Sequence, residues 1–160
     1  MELYNAGFTL PSTDLLTFAK APAIVVFLPG EHLFRFGTIK DPTFEGSRIF
    51  DSPWWIPPAT YRHITETAHR TGTSIVDVAR SRLAVATAWN PVMDWLMVLE
   101  LRKAVQAWVG PTRPQPLSAG DRSVMLLGNY DQAYVPGLAP KDATASEAAT
   151  LAYFGQPLDR

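Results

Sequence analysis

Arg35 stands inside the apolar run Leu33-Phe34-Arg35-Phe36-Gly37. Side chains alternate along a strand, so Leu33, Arg35 and Gly37 face one way and Phe34 and Phe36 the other. An arginine beside a glycine, opposite two phenylalanines, suits a concave groove in which a planar guanidinium grips phosphate oxygens. The plainer alternative is a solvated arginine on a half-exposed strand. Trp54-Trp55, between Pro53 and Ile56-Pro57-Pro58, is an aromatic pair held by prolines. Such a pair stacks on a flat base or nicotinamide ring, or else caps apolar surface beneath a loop. Gln132 follows Gly128-Asn129-Tyr130-Asp131, where Gly128 permits a close backbone approach. Its amide offers an acceptor and two donors to a sugar hydroxyl, or it is an ordinary turn residue. Thr87 and Asn90 add a hydroxyl and an amide near the middle of the chain.

Other chemistries lack their residues. The 160 residues include no cysteine, which removes disulfide scaffolds, Cys-zinc sites, iron–sulfur clusters and thiol nucleophiles. His32, His63 and His69 are scattered, and the last two lie six apart, so no metal site is expected. Ser47, Ser52 and Ser81 stand in no Gly-x-Ser-x-Gly elbow, and neither phosphate-loop nor dinucleotide glycine signatures occur. Fourteen basic against fifteen acidic residues give a net charge of −1, which argues against a nucleic-acid binder acting through a basic field. The start Met-Glu-Leu-Tyr-Asn has no basic segment leading into an apolar core, and the longest apolar run, 23–29, is too short to span a bilayer. The expectation is a cytoplasmic protein, or one exported by a route without a Sec-type signal peptide.

The elements that position these residues follow from the pattern. Hydrophobic content of 47% supports one globular core, and fourteen prolines point to a loop-rich α+β domain rather than a helical bundle. Residues 1–22 read as an arm, with turn chemistry at Pro11-Ser12-Thr13-Asp14 and a short helix near 14–18. The β-branched run 23–28 predicts a buried strand, and 32–39 a second strand pairing with it as a hairpin. Breakers make 40–58 a long loop. Pro57-Pro58 opens a helix to about His69, and Gly72 ends it. Ser74, with Asp77 three residues on, caps a second helix reaching about Trp89, although 83–86 could equally be a strand. Asn90-Pro91 opens a helical turn. Strands are predicted over 95–101, 105–109, 124–127 and 133–135, with 128–132 as a tight connection. Residues 139–160 read as a tail, with a helix over 144–154.

The order of these features resembles the ADP-ribosyltransferase-like domains of bacterial toxins and effectors. The likeness rests on Leu33-Phe34-Arg35-Phe36, the Trp54-Trp55 loop, Leu83-Ala84-Val85 with Trp89-Asn90, Gly110-Pro111-x-x-Pro114-Gln115, and Gly128-Asn129-Tyr130-Asp131-Gln132-Ala133-Tyr134-Val135-Pro136. It covers about 23–138. The resemblance implies small mixed or antiparallel sheets with helices packed on the sheet, and NAD as substrate. It makes Arg35 the NAD-binding arginine, with Trp54, Trp55, Thr87 and Asn90 lining the NAD site. Gln132 falls at or beside the catalytic position, where most transferases carry glutamate, so NAD glycohydrolysis is nearer than protein ADP-ribosylation. Asn129 replaces the second glycine of the family's pair, conservatively if the backbone needs a positive φ. The implied role is a toxin or effector with a protein target or a neutralising immunity partner. The alternative is a non-enzymatic interaction module (an immunity, phage or accessory protein) using the Trp54-Trp55 loop. The enzyme reading places Arg35, Trp54 or Trp55, and Gln132 on one cleft.

Overall fold

Pro29-Gly30 decides the first long-range feature of the chain. In the computed structural model, which describes residues 2–37, 52–87, 92–118, 120–138 and 145–157, Glu31 N donates to Leu28 O (3.1 Å) and Gly30 has φ +90°. Proline followed by a glycine at positive φ is type II turn geometry, whose twist splays the flanking strands. Strands β1 (Ala23–Phe27) and β2 (His32–Gly37) are therefore not hairpin partners. They enter different sheets, and the expected hairpin is corrected.

In chain order, β1 and β2 are preceded by the one-turn α1 (Ser12–Leu15) and followed by β3 (Trp54–Trp55), α2 (Pro58–Thr71) and α3 (Ile75–Arg82). Then come β4 (Trp95–Leu101), β5 (Val105–Pro111), β6 (Gln115–Ser118), β7 (Asp121–Leu126), β8 (Asp131–Tyr134), α4 (Ala145–Ala148) and β9 (Ala149–Gly155). A four-stranded sheet has the order β1-β5-β8-β3, a three-stranded sheet the order β2-β4-β9, and β6-β7 form a two-stranded ribbon. All named pairs are antiparallel. The two larger sheets meet where Phe34 and Ile56 exchange backbone hydrogen bonds (3.1 and 2.7 Å). The expected α+β class, with small antiparallel sheets, is the observed one.

Alternation on β2 divides the interior. Leu33 joins Trp55, Met97, Leu99, Val105 and Ala133 in a core between the sheets. Phe36 joins Ile56, Ile64, Ile75, Leu96 and Tyr130 in a second core beneath α2 and α3. Helix α2 carries Thr60, Ile64, Thr67 and Ala68 inward, and Phe34 stacks on Tyr61 (4.0 Å, 3°), fastening the helix to β2. Pro58 opens α2 and Gly72, at φ +68°, closes it, as the sequence predicts. Ser74 Oγ accepts from Asp77 N (3.1 Å), the predicted cap of α3. Ser74→Ala should cost about 1 kcal/mol in a chemical-denaturation midpoint; an unchanged midpoint would show that α3 does not use this cap.

Three further expectations are corrected. Helix α3 ends at Arg82, short of Trp89, and 83–86 is neither helix nor strand: Ala84 takes φ +51°, and Arg80 Nη1 donates to Val85 O (2.9 Å). Burial lowers the pKa of that arginine, with Asp77 acting in opposition. The helix expected over 144–154 is one turn followed by β9, because a place beside β4 hydrogen-bonds the segment's backbone and lets Phe154 pack against the inter-sheet core. The last segment is thus part of a sheet rather than a tail. Strand β6, around Gln115, is additional to the predicted elements; Thr87 N and Oγ1 both donate to Leu117 O at 3.1 Å.

Candidate functional site

Arg35 lies opposite Met97 on β4, and Met97 lies opposite Phe154 on β9. These three residues and Trp95, paired with Gly37, share the inter-sheet face of the three-stranded sheet. The Arg35 guanidinium carbon sits 4.1 Å from the Trp55 ring centroid, a cation–π contact, and Nη1 donates to Ser52 O (2.8 Å). Trp55 is 1% exposed, and its Nε1 is buried with no hydrogen-bond partner among the described residues. Trp95 and Phe154 pack at 5.0 Å, both half-buried, next to the arginine in register. A Cβ at Gly37 would meet the flexible end of Met97, Cε at 2.6 Å, so that methyl must move aside for any larger residue. A half-buried cation on an indole, with an aromatic pair beside it, can bind a phosphate-bearing ring compound.

The predicted site residues divide into separate groups. Arg35 and Trp55 come together at the junction of the two sheets. Trp54 and Gln132 occupy the opposite face of the four-stranded sheet. Trp55 pairs with Ala133 and Trp54 with Tyr134, so Gln132, one residue before Ala133, projects away from Trp55. Its Nε2 approaches Thr17 Oγ1 at 3.4 Å. Trp54 packs between Phe18 (5.5 Å) and Tyr134 (5.0 Å). The single cleft shared by Arg35 and Gln132 is therefore corrected: the buried Trp55 indole and the sheet itself lie between them, because adjacent residues of a strand point to opposite faces. Thr87 lies beyond α3, with its hydroxyl committed to Leu117 O. Asn90 lies outside the described residues, as do residues 40–51 of the expected loop. The tryptophan pair is a short strand against β8, and its indoles are packed rather than displayed.

The outer face is covered by the N-terminal arm. Buried Asn5 donates Nδ2 to Gln106 O (2.8 Å) and Pro136 O (2.7 Å), and its Oδ1 accepts from Gln106 N (2.8 Å). Phe18 is 1% exposed and lies 3.0 Å from where a Cβ on Gly110 would stand. Burial raises the pKa of Asp14 within the same arm. Sequence reasoning did not single out Trp95 or Phe154, whose proximity to Arg35 depends on β2-β4 and β4-β9 pairing across more than fifty residues. Gly128 (φ +64°) and Asn129 (φ +73°) do take consecutive left-handed conformations. They aim Tyr130 into the helix core, where its hydroxyl meets Thr67 Oγ1 at 2.8 Å and its ring stacks on His63 at 4.2 Å. An open groove of about 410 Å³, lined by His32, Phe34, Tyr61 and Arg62 among others, lies on the helix side of β2. Among the described residues, no helix is long and apolar enough to cross a membrane.

No family model matches the sequence, and no curated protein matches it. Two solved structures are similar to the chain. Tne2, in its complex with Tni2, is 13% identical, with 84% of this chain and 91% of that chain covered and a TM-score of 0.46. Rhs1-CT, in complex with its cognate immunity protein RhsI1, is 10% identical, with 84% of this chain and 80% of that chain covered and a TM-score of 0.49.

Proposed function

We propose that this chain binds NAD at the junction of its two sheets and cleaves the nicotinamide–ribose bond, acting as a toxin or effector of the ADP-ribosyltransferase-like type. The observation that supports this reading is the Arg35 guanidinium laid over Trp55, half-buried, with one donor fixed by Ser52 O. A guanidinium held in one plane is pre-organised for the pyrophosphate, which carries the charge of the dinucleotide. Trp95 and Phe154 supply ring faces beside it. Nicotinamide leaves as a neutral molecule, so the reaction demands little acid catalysis, and the transition state resembles the oxocarbenium ion of glycoside hydrolysis. Electron-rich ring faces favour both the pyridinium of bound NAD and that developing cation.

Gln132 takes a different part in this reading. It faces Thr17 on the arm, so its amide contributes to covering the outer face and not to the ribose contact. The hydroxyl-rich substrate is then oriented by its pyrophosphate and its rings. A neutralising immunity protein is the corresponding partner.

Calorimetric titration with NAD and chromatographic assay of released nicotinamide test this. Arg35→Ala should weaken NAD binding roughly 10- to 100-fold, the worth of a charge-assisted hydrogen bond, with the melting transition retained. Gln132→Ala should leave NAD affinity within about two-fold of the parent, because a side chain on the opposite sheet face loses no ligand contact. Absence of both NAD binding and nicotinamide release by the parent protein would overturn the reading. Equal affinity of the parent and Arg35→Ala would move the site elsewhere.

A further inference from the structure

We infer that Trp55 serves the Arg35 site as a hydrogen-bond donor, its indole N–H being kept for an anionic oxygen of the bound dinucleotide. This rests on the NAD reading above and deepens it. Among the described residues, Trp55 Nε1 is the buried side-chain nitrogen or oxygen left without a hydrogen-bond partner. Other buried polar side chains show how closely this chain satisfies such groups. Asn5 bonds to Gln106 and Pro136, Thr67 meets the Tyr130 hydroxyl, and Thr112 Oγ1 donates to Arg82 O (2.9 Å). A buried donor with no acceptor costs about as much as a lost hydrogen bond, so the one exception calls for an explanation.

Packing does not supply one. Trp55 faces the inter-sheet core beside its cross-strand partner Ala133, among Leu33, Met97 and Leu99, none of which carries a side-chain oxygen. An apolar ring fills such a space without orphaning a donor. What tryptophan adds is the N–H, and that N–H belongs to the ring on which the Arg35 guanidinium lies, 4.1 Å from the centroid. The two donors are therefore close enough to share one phosphate group. The cation also polarises the indole beneath it, which strengthens the N–H as a donor.

Nε1 is closed to solvent, so an acceptor reaches it only when the ligand displaces part of its cover. Arg35, lying on the ring, is part of that cover and is itself drawn by an anion. Its Nη1 is held by a neutral carbonyl, Ser52 O (2.8 Å), whereas a pyrophosphate offers charged oxygens, which make the stronger bond. Drawing the guanidinium toward a phosphate exposes the indole beside it, and the N–H then closes on the same anion. Binding thus turns an unfavourable feature of the free protein into a contact made only with ligand.

Magnetic resonance of nitrogen-labelled indoles in the unaltered chain, titrated with NAD and with ADP-ribose, tests this. Both ligands carry the pyrophosphate. The chain has five tryptophans, and the Trp55 signal is the one that Trp55→Phe lacks. It should move downfield further than any other indole signal, and nicotinamide riboside, which has no phosphate, should leave it in place. A second measurement replaces the Trp55 N–H with sulfur by incorporating the benzothienyl analogue of tryptophan, which keeps the ring under Arg35 and removes the donor. Calorimetric affinity for NAD should then fall about ten-fold, the worth of one hydrogen bond to a charged group, while the melting temperature stays level or rises. Three results would each overturn the inference and leave the NAD reading in place: NAD or ADP-ribose binding with an unmoved Trp55 signal, an equal shift with the riboside, or equal affinity in the sulfur analogue. A parent protein that binds neither NAD nor ADP-ribose would overturn both.

Discussion

Replacing Trp55 with alanine is expected to destabilise the chain by about 3–5 kcal/mol, measured as a lowered urea midpoint with unchanged slope. Total stabilities are about 5–15 kcal/mol, so this one change removes a large fraction of the margin. The indole is among the largest fully buried side chains, and it fills the space between sheets whose other contributors are Phe27, Leu33, Met97, Leu99 and Val135. Its loss leaves a cavity that two hydrogen-bonded sheets cannot collapse around, and the Arg35 guanidinium loses the ring beneath it. Trp55→Phe separates the contributions. It keeps an aromatic platform and removes the unpartnered buried Nε1–H, whose burial costs about 1–3 kcal/mol. The phenylalanine variant should therefore be more stable than the alanine variant by at least about 2 kcal/mol. Equal losses in the two variants would mean that the ring is not what joins the sheets.

Gly128→Ala should cost about 3 kcal/mol or more, from two sources that add. Gly128 holds φ +64°, where a Cβ costs about 1–2 kcal/mol. That Cβ would also stand 2.6 Å from Thr112 O and 3.1 Å from Arg113 C, both backbone, so the exit of β5 must shift. The displaced groups belong to one local network: Gly128 N donates to Ser81 O, Asn129 N to Thr112 O, and Tyr130 N to Arg82 O. Thermal unfolding followed by circular dichroism reads the loss. Asn129→Gly is the control. Asparagine tolerates the left-handed region, and glycine there should change stability by no more than about 0.5 kcal/mol. A Gly128→Ala variant as stable as that control would show that Thr112 can move freely.

The local devices were legible because each involves residues a few positions apart. Pro57-Pro58 and Gly72 bound α2, Ser74 with Asp77 caps α3, and Gly128-Asn129 supplies the paired left-handed turn. Their physics depends on φ preferences and on hydrogen bonds across three or four residues. The run from Trp54 departs from its expected loop for a related reason. Prolines on both sides signal a loop, yet two residues suffice for a strand when Tyr134 and Ala133 stand ready to pair.

Arg35 illustrates both sides of the boundary. Alternation alone separates it from Phe34 and Phe36, and the structure puts those faces in different cores. Which partner Arg35 meets was not legible, since Trp55, Met97 and Phe154 reach it through three separate pairings. The resemblance puts Gln132 in the same cleft on the order of features along the chain. Order carries no information about which face of a sheet a side chain takes, and one register step sends it to the opposite side.

From its sequence alone, this protein was committed to an α+β fold without thiol chemistry, to its helix boundaries at capped ends, and to an arginine on the strand face opposite Phe34 and Phe36. Tertiary structure alone decided that the first two strands part into different sheets, that the final segment becomes a strand beside β4, and that Arg35 lies on Trp55 while Gln132 faces the arm. The reason is physical. Caps and turns are fixed by short-range backbone preferences, whereas strand partnership is settled by which distant segments can together bury their apolar faces and satisfy one another's backbone groups.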